Sequence, residues 1–180
     1  ALLATYGNEV FQTADRNNVD IRFEASVGGT IPIIKTLKES LVGNRIDSFM
    51  AIMNGTSNYI LSKMTDEEKP FDVVLKEAQA LGFAEADPTF DIEGIDTAHK
   101  LAIALSLAYG KRVDIGDIHR EGISGISMQD IDFAREFGYR IKLLALAFAR
   151  GEWVEARIHP TMIPVDAMLA NVNSNFNAFH

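Results

Sequence analysis

The apolar positions of this chain follow a helical period in some stretches and an alternating period in others, and the two periods predict different elements. The longest apolar run, L-A-I-A-L-S-L-A, follows directly after Lys100 and covers most of a helix circumference, so it predicts a helix that is buried on most sides. Helical spacing with capping or breaking residues at the ends predicts helices over residues 1–16, 31–41, 56–64, 71–81, 92–109, 130–137 and 165–172.

Shorter runs rich in β-branched and aromatic residues predict strands over residues 19–27, 46–53 and 118–126. Two more apolar runs, 141–150 and 153–163, flank Gly151 and predict a hairpin that turns there. Strands and helices are mixed, without repeats or low-complexity linkers. We therefore predict one α/β (α+β) domain over residues 1–180: a mixed sheet with helices packed on one face.

The composition argues against several classes of partner and of catalytic or metal site. A net charge of −8 argues against nucleic acid and anionic membranes as partners. The chain has no cysteine, which excludes disulfides, thiolate catalysis and Cys-based zinc sites and fits a reducing, cytoplasmic location. No apolar run approaches the roughly 18 residues that span a bilayer. The first residue is Ala rather than Met, so we expect a piece of a longer protein.

The segment 82–100 is the strongest candidate for chemistry, because five carboxylates fall within the twelve residues before the buried helix: Glu85, Asp87, Asp91, Glu93 and Asp96. Asp96 and Lys100 are one helical turn apart. If the pair is partly desolvated at the mouth of a cleft it can move a proton, and otherwise it is an ordinary surface ion pair. The loop acids can stabilise the positive end of the helix, or bind an ammonium group or a metal.

Two glycine turns offer backbone groups to a ligand. The segment 23–33 contains a Gly-Gly turn and places Glu24 beside several carbonyls, a ligand set that suits a hard cation; the alternative is a plain tight turn. In the segment 54–59, N-G-T-S-N-Y, the first N–H groups of a helix either hold a substrate carboxylate or are capped by Thr56. Neither G-x-G-x-x-G, a P-loop nor G-x-S-x-G is present.

Four segments, in this order and spacing, give nearly the whole chain a resemblance to the catalytic domain of homoserine dehydrogenase: A-L-L-A, E-A-S-V-G-G-T-I-P-I-I, N-G-T-S-N-Y-I-L and G-F-A-E-A-D-P-T-F-D-I-E-G-I-D-T-A-H-K-L-A-I. The resemblance implies an oxidoreductase that reduces aspartate 4-semialdehyde to homoserine with NAD(P)H, in threonine, methionine and isoleucine biosynthesis. It also implies a homodimer formed through the sheet, which agrees with apolar residues on both faces of the predicted hairpin.

The resemblance assigns roles to particular residues. Lys100 is implied as the acid that protonates the carbonyl oxygen, while Asp96 and Asp91 orient the substrate and the lysine. Glu85 is implied to bind the substrate ammonium group, helped by the backbone around Gly55, Thr56 and Phe83. Gly82 is implied to lie near the nicotinamide. A sodium ion is implied at Glu24 and the carbonyls of Val27, Gly29 and Ile31.

Two departures from the family pattern change the expectation for this chain. By the resemblance, the family's N-terminal Rossmann domain and its second active-site lysine precede A-L-L-A, and we expect them to lie outside this chain. We expect the same of the glycine-rich C-terminal segment that returns to the cofactor domain, and residues 173–175 read N-S-N where the family usually has N-G-V. We therefore expect the isolated chain to be inactive. Rival readings are a non-catalytic domain that binds an amino acid or a cation, and a dimerisation module. Aspartate-semialdehyde dehydrogenase, which handles the same substrate, needs a cysteine nucleophile that this chain lacks.

Overall fold

A computed structural model describes residues 1–111 and 113–180. The α-helices are α1 (Leu2–Arg16), α2 (Ile33–Lys35), α3 (Gly55–Glu67), α4 (Phe71–Ala80), α5 (Thr89–Ile92), α6 (Ile95–Tyr109) and α7 (Met128–Glu136). The strands are β1 (Ser48–Ile52), β2 (His119–Arg120), β3 (Tyr139–Arg150), β4 (Trp153–Pro164) and β5 (Ala178–Phe179). Helix α2 continues into a π-helical turn, Thr36–Ser40, and 3₁₀ turns cover Glu24–Ser26, Ile115–Asp117 and Met168–Asn171.

The five strands form one mixed sheet in the order β2-β4-β3-β1-β5. Strand β2 runs parallel to β4, while the other neighbours are antiparallel. The long β3–β4 hairpin turns at Gly151, whose positive φ of 64° suits a residue without a side chain. The predicted fold class, a mixed sheet with helices, is confirmed.

Alternation along β3 separates two apolar clusters. Ile141, Leu143, Ala145 and Ala147 join the main core together with the helices. Leu144 and Leu146 point the other way and join a smaller cluster that includes Ile52, Ile163 and Ala170. Leu144 and Leu146 are therefore buried within a single chain, so less apolar surface is left for a partner than the sequence pattern indicated.

Two of the predicted strands are wrong or much shorter. Residues 19–27 form no strand; instead the Ser26 hydroxyl donates to the carbonyl of Phe23 at 2.6 Å and closes a local 3₁₀ turn. The predicted strand 118–126 is reduced to β2, because Gly122 leaves the sheet and packs on the backbone of Ile92, where a Cβ would lie 2.5 Å from the carbonyl oxygen. Strand β5 was not predicted.

The predicted helices differ mainly at their ends. The predicted helix 92–109 is two helices, since Gly94 adopts φ +70° between α5 and α6. Gly110 ends α6 in the same left-handed conformation, as the sequence indicated. The predicted helix 165–172 is only the 3₁₀ turn Met168–Asn171. Over the described residues, none of the helices combines the length and the apolar character that crossing a membrane requires.

Candidate active site

The loop between β1 and α3 is the centre of the candidate site, and Asn54 is its main polar residue. The Asn54 side chain is 6% exposed, and its Oδ1 accepts a hydrogen bond from the Ser57 N–H at 2.8 Å, so Asn54 is the N-cap of α3. The sequence indicated Thr56 as the cap, and that expectation is wrong by two residues. The N-cap leaves the Asn54 amide nitrogen pointing towards the acidic segment.

Asn54 joins the two carboxylates that the sequence singled out beside Lys100. Its Nδ2 donates to Asp91 Oδ1 at 2.7 Å and to Asp96 Oδ2 at 2.9 Å. The Ser57 hydroxyl also donates to the main-chain carbonyl of Asp91 at 3.0 Å. Helices α5 and α6 are therefore fastened to the start of α3, and the two carboxylates are held in fixed orientations.

Lys100 completes this cluster. Its Nζ lies 2.6 Å from Asp96 Oδ2 and donates to the carbonyl oxygen of Met53 at 2.9 Å. The side chains of Lys100 and Asp96 are each only 22% exposed, so this is not an ordinary surface ion pair. An ammonium group has three N–H donors, and these two acceptors leave one for a ligand.

The first turn of α3 lies beside the turn that follows α4. Thr56 Oγ1 donates to the carbonyl of Phe83 at 2.6 Å, and the Phe83 ring packs on Tyr59 with 5.0 Å between centroids. Gly82 supports this turn with φ +77°. At Gly55 an added Cβ would lie 2.6 Å from the carbonyl oxygen of Asn175, so only glycine fits there. The structure thus brings Gly55, Thr56 and Phe83 together, next to Asn54.

Glu85 is not joined to this cluster. It is exposed, and within the described residues its carboxylate makes no hydrogen bond. Its main-chain carbonyl accepts from Gln79 Nε2 at 3.0 Å, which fixes the backbone but leaves the carboxylate free to meet a ligand. The implied role of Glu85 in binding an ammonium group stays a prediction.

The carboxylate of Glu24 lies over the start of α2. Its two oxygens accept from the N–H groups of Ile34 at 2.6 Å and Lys35 at 2.9 Å, so it neither points to solvent nor pairs with Arg22. Val27 is fully buried, and no hydrogen bond between described residues reaches its carbonyl oxygen. A buried carbonyl without a donor is costly unless another partner satisfies it.

A second polar network, which the sequence reasoning missed, surrounds Lys142 in β3. This lysine is 1% exposed and donates to oxygens of α3 and of residues 172–173. Burial, together with the charge of Arg140, lowers the pKa of Lys142 to about 8, against the opposing effect of Asp66. The signal in the sequence was a single lysine inside the apolar run I-K-L-L-A-L-A.

Comparisons with known proteins agree on one family. The family model for homoserine dehydrogenase matches residues 32–180. The chain is 54% identical to the homoserine dehydrogenase of Neisseria gonorrhoeae and 48% identical to that of Bacillus subtilis, over 98% and 99% of its length. It covers 41% of each of these relatives, so it spans about two fifths of their length.

Solved structures give the same result. A homoserine dehydrogenase from Thiobacillus denitrificans superposes with a TM-score of 0.95 at 52% identity, covering 99% of this chain and 41% of that one. A hyperthermophilic archaeal homoserine dehydrogenase mutant in complex with NADPH superposes with a TM-score of 0.78 at 32% identity, covering 98% of this chain and 50% of that one. The chain belongs to the homoserine dehydrogenase family.

Proposed function

We propose that this chain is the catalytic domain of a longer enzyme that reduces aspartate 4-semialdehyde to homoserine with NAD(P)H. The observation that carries the proposal is Lys100, a partly buried ammonium held between the Asp96 carboxylate and the Met53 carbonyl, with one N–H that no described residue accepts. When bound, the nicotinamide supplies a hydride to the carbonyl carbon of the substrate. In this layout the dinucleotide-binding domain lies outside residues 1–180, as the 41% coverage of the relatives allows.

Lys100 protonates the carbonyl oxygen as the carbon–oxygen double bond becomes a single bond. The oxygen develops negative charge during hydride transfer, and an ammonium group stabilises that charge most effectively where water is partly excluded. Asp96 fixes the position of Nζ through their 2.6 Å contact, while Asp91 stands beside it to orient the substrate. Asn54 holds both carboxylates, so neither needs to reorganise during the reaction.

The first turn of α3 and the turn at Gly82 form the surface for the rest of the substrate. Free N–H groups at the start of a helix favour an anion, which suits the substrate carboxylate near Gly55 and Thr56. Glu85 supplies the opposite charge for the substrate ammonium group. Phe83 packs on α3 through Tyr59, and an added Cβ at Gly82 would meet nothing within 4 Å, which leaves room there for the proposed nicotinamide.

We also propose a sodium ion at the segment that contains Glu24. Val27 offers a buried carbonyl without a described donor, and Gly29, with φ +63°, turns the backbone within the same segment. The Glu24 carboxylate accepts one N–H at each oxygen and keeps further lone pairs for a cation. The carbonyl oxygen of Ile31 already accepts a hydrogen bond from the Ile33 N–H at 2.8 Å, so it can bind the sodium ion only through its second lone pair. The ion would make the turn rigid.

A homodimer is also proposed, through the sheet face that carries the smaller apolar cluster. Met50 and Phe148 pack against that cluster but are only partly buried, and Met168, which lies between the cluster-packing residues Ala167 and Leu169, remains 73% exposed. Such an exposed apolar margin is typical of a surface that meets a partner. Sedimentation of the longer enzyme at micromolar concentration tests this, and a strict monomer would contradict it.

The proposal is tested with the longer enzyme, its Lys100→Ala variant and the isolated chain. We expect turnover of homoserine and NAD(P)⁺ by the longer enzyme, none by the isolated chain, and a loss of about 10²–10⁴-fold in kcat for Lys100→Ala. Lys76→Ala, which removes an exposed lysine from α4, is the matched control. Turnover of Lys100→Ala near that of the control would remove Lys100 from its role. An enzyme that binds homoserine without turnover would favour the non-catalytic alternative.

A further inference from the structure

Lys142 is an ammonium group buried among neutral oxygens. Its Nζ lies 2.7 Å from the carbonyl of Val172, 3.0 Å from Asn58 Oδ1, 3.0 Å from Asn173 Oδ1 and 3.2 Å from Ser62 Oγ. The three N–H donors of the ammonium are divided among these four oxygens, none of which belongs to a carboxylate. A charge is costly to bury in this way, so the contacts that hold it there need a reason beyond packing.

The four oxygens come from two separate parts of the chain. Asn58 and Ser62 belong to α3, whereas Val172 and Asn173 belong to residues 172–176, which we call the tail segment. The Asn58 amide strengthens the same junction, since its Nδ2 donates to the carbonyls of Val172 at 2.9 Å and Phe176 at 3.0 Å. The ammonium therefore joins the tail segment to the side of α3.

Arg140, two residues along β3, repeats this arrangement at the outer edge. Its Nη1 donates to Asn173 Oδ1 at 3.2 Å, and its Nη2 pairs with Asp66 at 2.9 Å near the end of α3. Asn173 thus accepts from two cations of the same strand. The tail segment is fastened along α3 from Asn58 to Asp66.

The fastened tail segment reaches the first turn of α3. The carbonyl oxygen of Asn175 lies 2.6 Å from the position that a Cβ on Gly55 would take, so the tail backbone is in direct contact with the first residue of α3. Gly55 and Thr56 are the residues that meet the substrate in the proposed function. A shift of the tail segment would therefore be transmitted to the substrate site.

We infer that Lys142 is a positioning residue, which fastens the tail segment across α3 so that the first turn of α3 is correctly placed for the amino-acid substrate. The inference rests on the proposed function. It predicts that loosening the tail side of the network weakens substrate binding, whereas loosening the helix side does so much less. At neutral pH the ammonium form predominates, because the lowered pKa of Lys142 is still about 8.

Two variants of the longer enzyme separate positioning from general packing. Asn173→Ala and Ser62→Ala each remove one oxygen from the Lys142 ammonium, but only Asn173 belongs to the tail segment. Asn173 also accepts from Arg140, so Arg140→Ala, which leaves the contact between Lys142 and Asn173 in place, is the control for that second bond, and a KM as high as that of Asn173→Ala would contradict the role of Lys142. A misplacement of about 1 Å can cost on the order of 10²-fold in rate, so we expect Asn173→Ala to lower kcat/KM for homoserine about tenfold, mainly through KM. Ser62→Ala should stay within about twofold, and the KM for the nicotinamide should not change in either variant.

A rescue variant of Asn173 and the results that would overturn the inference complete the test. Asn173→Asp keeps an acceptor for Lys142 and Arg140, so it should restore the KM for homoserine. Equal changes in Asn173→Ala and Ser62→Ala, or a lower melting temperature with unchanged KM, would overturn the inference and leave Lys142 as a purely structural lysine. If the wild-type enzyme shows no turnover, the proposed function fails first, and calorimetric binding of homoserine to the same variants then decides the inference: equal affinities, or no binding by wild type, overturn it.

Discussion

Replacing Asn54 by Asp tests whether a single amide orients the carboxylates around Lys100. The variant keeps an Oδ1 atom for the Ser57 N–H, so the cap of α3 is preserved. It loses the Nδ2 donor that contacts Asp91 at 2.7 Å and Asp96 at 2.9 Å. The substitution therefore changes the orientation of the acids with little effect on the start of the helix.

The size of the expected loss in kcat for Asn54→Asp follows from charge repulsion and from the lost hydrogen bond. Three ionised carboxylates with charge centres about 4 Å apart would repel by about 4 kcal/mol for each pair at an effective dielectric constant of 20, so the introduced carboxyl binds a proton instead. Its single O–H replaces only one of the two lost bonds. The other, a hydrogen bond to a charged group, is worth about 1.5–3 kcal/mol. We expect kcat to fall about 10–100-fold.

The pH profile gives a second measurement. Because its neighbours are negative, the introduced carboxyl has a raised pKa, and the variant loses its remaining O–H donor as the pH rises through that pKa. The deficit relative to wild type should therefore grow with pH. Initial rates of homoserine oxidation by the longer enzyme, followed by NAD(P)H absorbance, measure both effects.

Asn171→Asp is the matched control, because it makes the same amide-to-acid change at an exposed residue whose Nδ2 contacts only the carbonyls of Val165 and Ala167. It should retain the kcat of wild type. An Asn54→Asp enzyme within twofold of wild type at every pH, or an equal loss in the control, would refute the view that the amide orients the acids.

Three further predictions concern stability and binding. Ser174→Gly should stabilise the chain by about 0.5–1 kcal/mol in urea unfolding, because Ser174 is exposed with φ +59° and relief of that strain exceeds the entropy cost of glycine; a lower midpoint would contradict this. Ser127→Ala should cost about 1 kcal/mol at pH 7, since Ser127 and Asp130 form a capping box. Hydrogen bonds from Ser127 lower the pKa of Asp130, so the ionised carboxylate stabilises the fold above its unfolded pKa. That stabilisation is lost as the pH falls through the folded pKa, so the stability difference between Ser127→Ala and wild type should become smaller in acid. Glu85→Ala should raise the KM for homoserine with little change in kcat, and an unchanged KM would exclude Glu85 from binding the ammonium group.

The parts of the fold that the sequence predicted best depend on short-range signals. The apolar run and Gly110 locate α6 to within a few residues, and the apolar runs on both sides of Gly151 locate the β3–β4 hairpin. Asp96 and Lys100 are one turn apart on a single helix, so their contact needs only the helix itself. These features are decided by neighbours in the chain.

The parts that the sequence did not predict depend on distant partners. Residues 19–27 have strand composition, yet a strand requires a neighbour to accept its backbone hydrogen bonds, and here the backbone closes on itself at Ser26. Asn54 contacts acids 37 and 42 residues away, and no periodicity encodes such a contact. Only the tertiary structure could show that one amide links the three segments.

The surroundings of Lys100 and Lys142 show why burial alone does not identify a candidate catalytic group. Lys100 has a carboxylate at 2.6 Å and a side chain that is still 22% exposed, so its charge is balanced and its ammonium remains open to a ligand. Lys142 has only neutral oxygens around it and is 1% exposed, so its ammonium can hold groups in place but has no route for exchanging a proton with a substrate. The lowered pKa of Lys142 reflects the cost of burying a charge with no carboxylate at hydrogen-bond distance. The same residue type is therefore proposed as the acid in one position and as a positioning residue in the other, and the difference lies in the nearest carboxylate and in access to water.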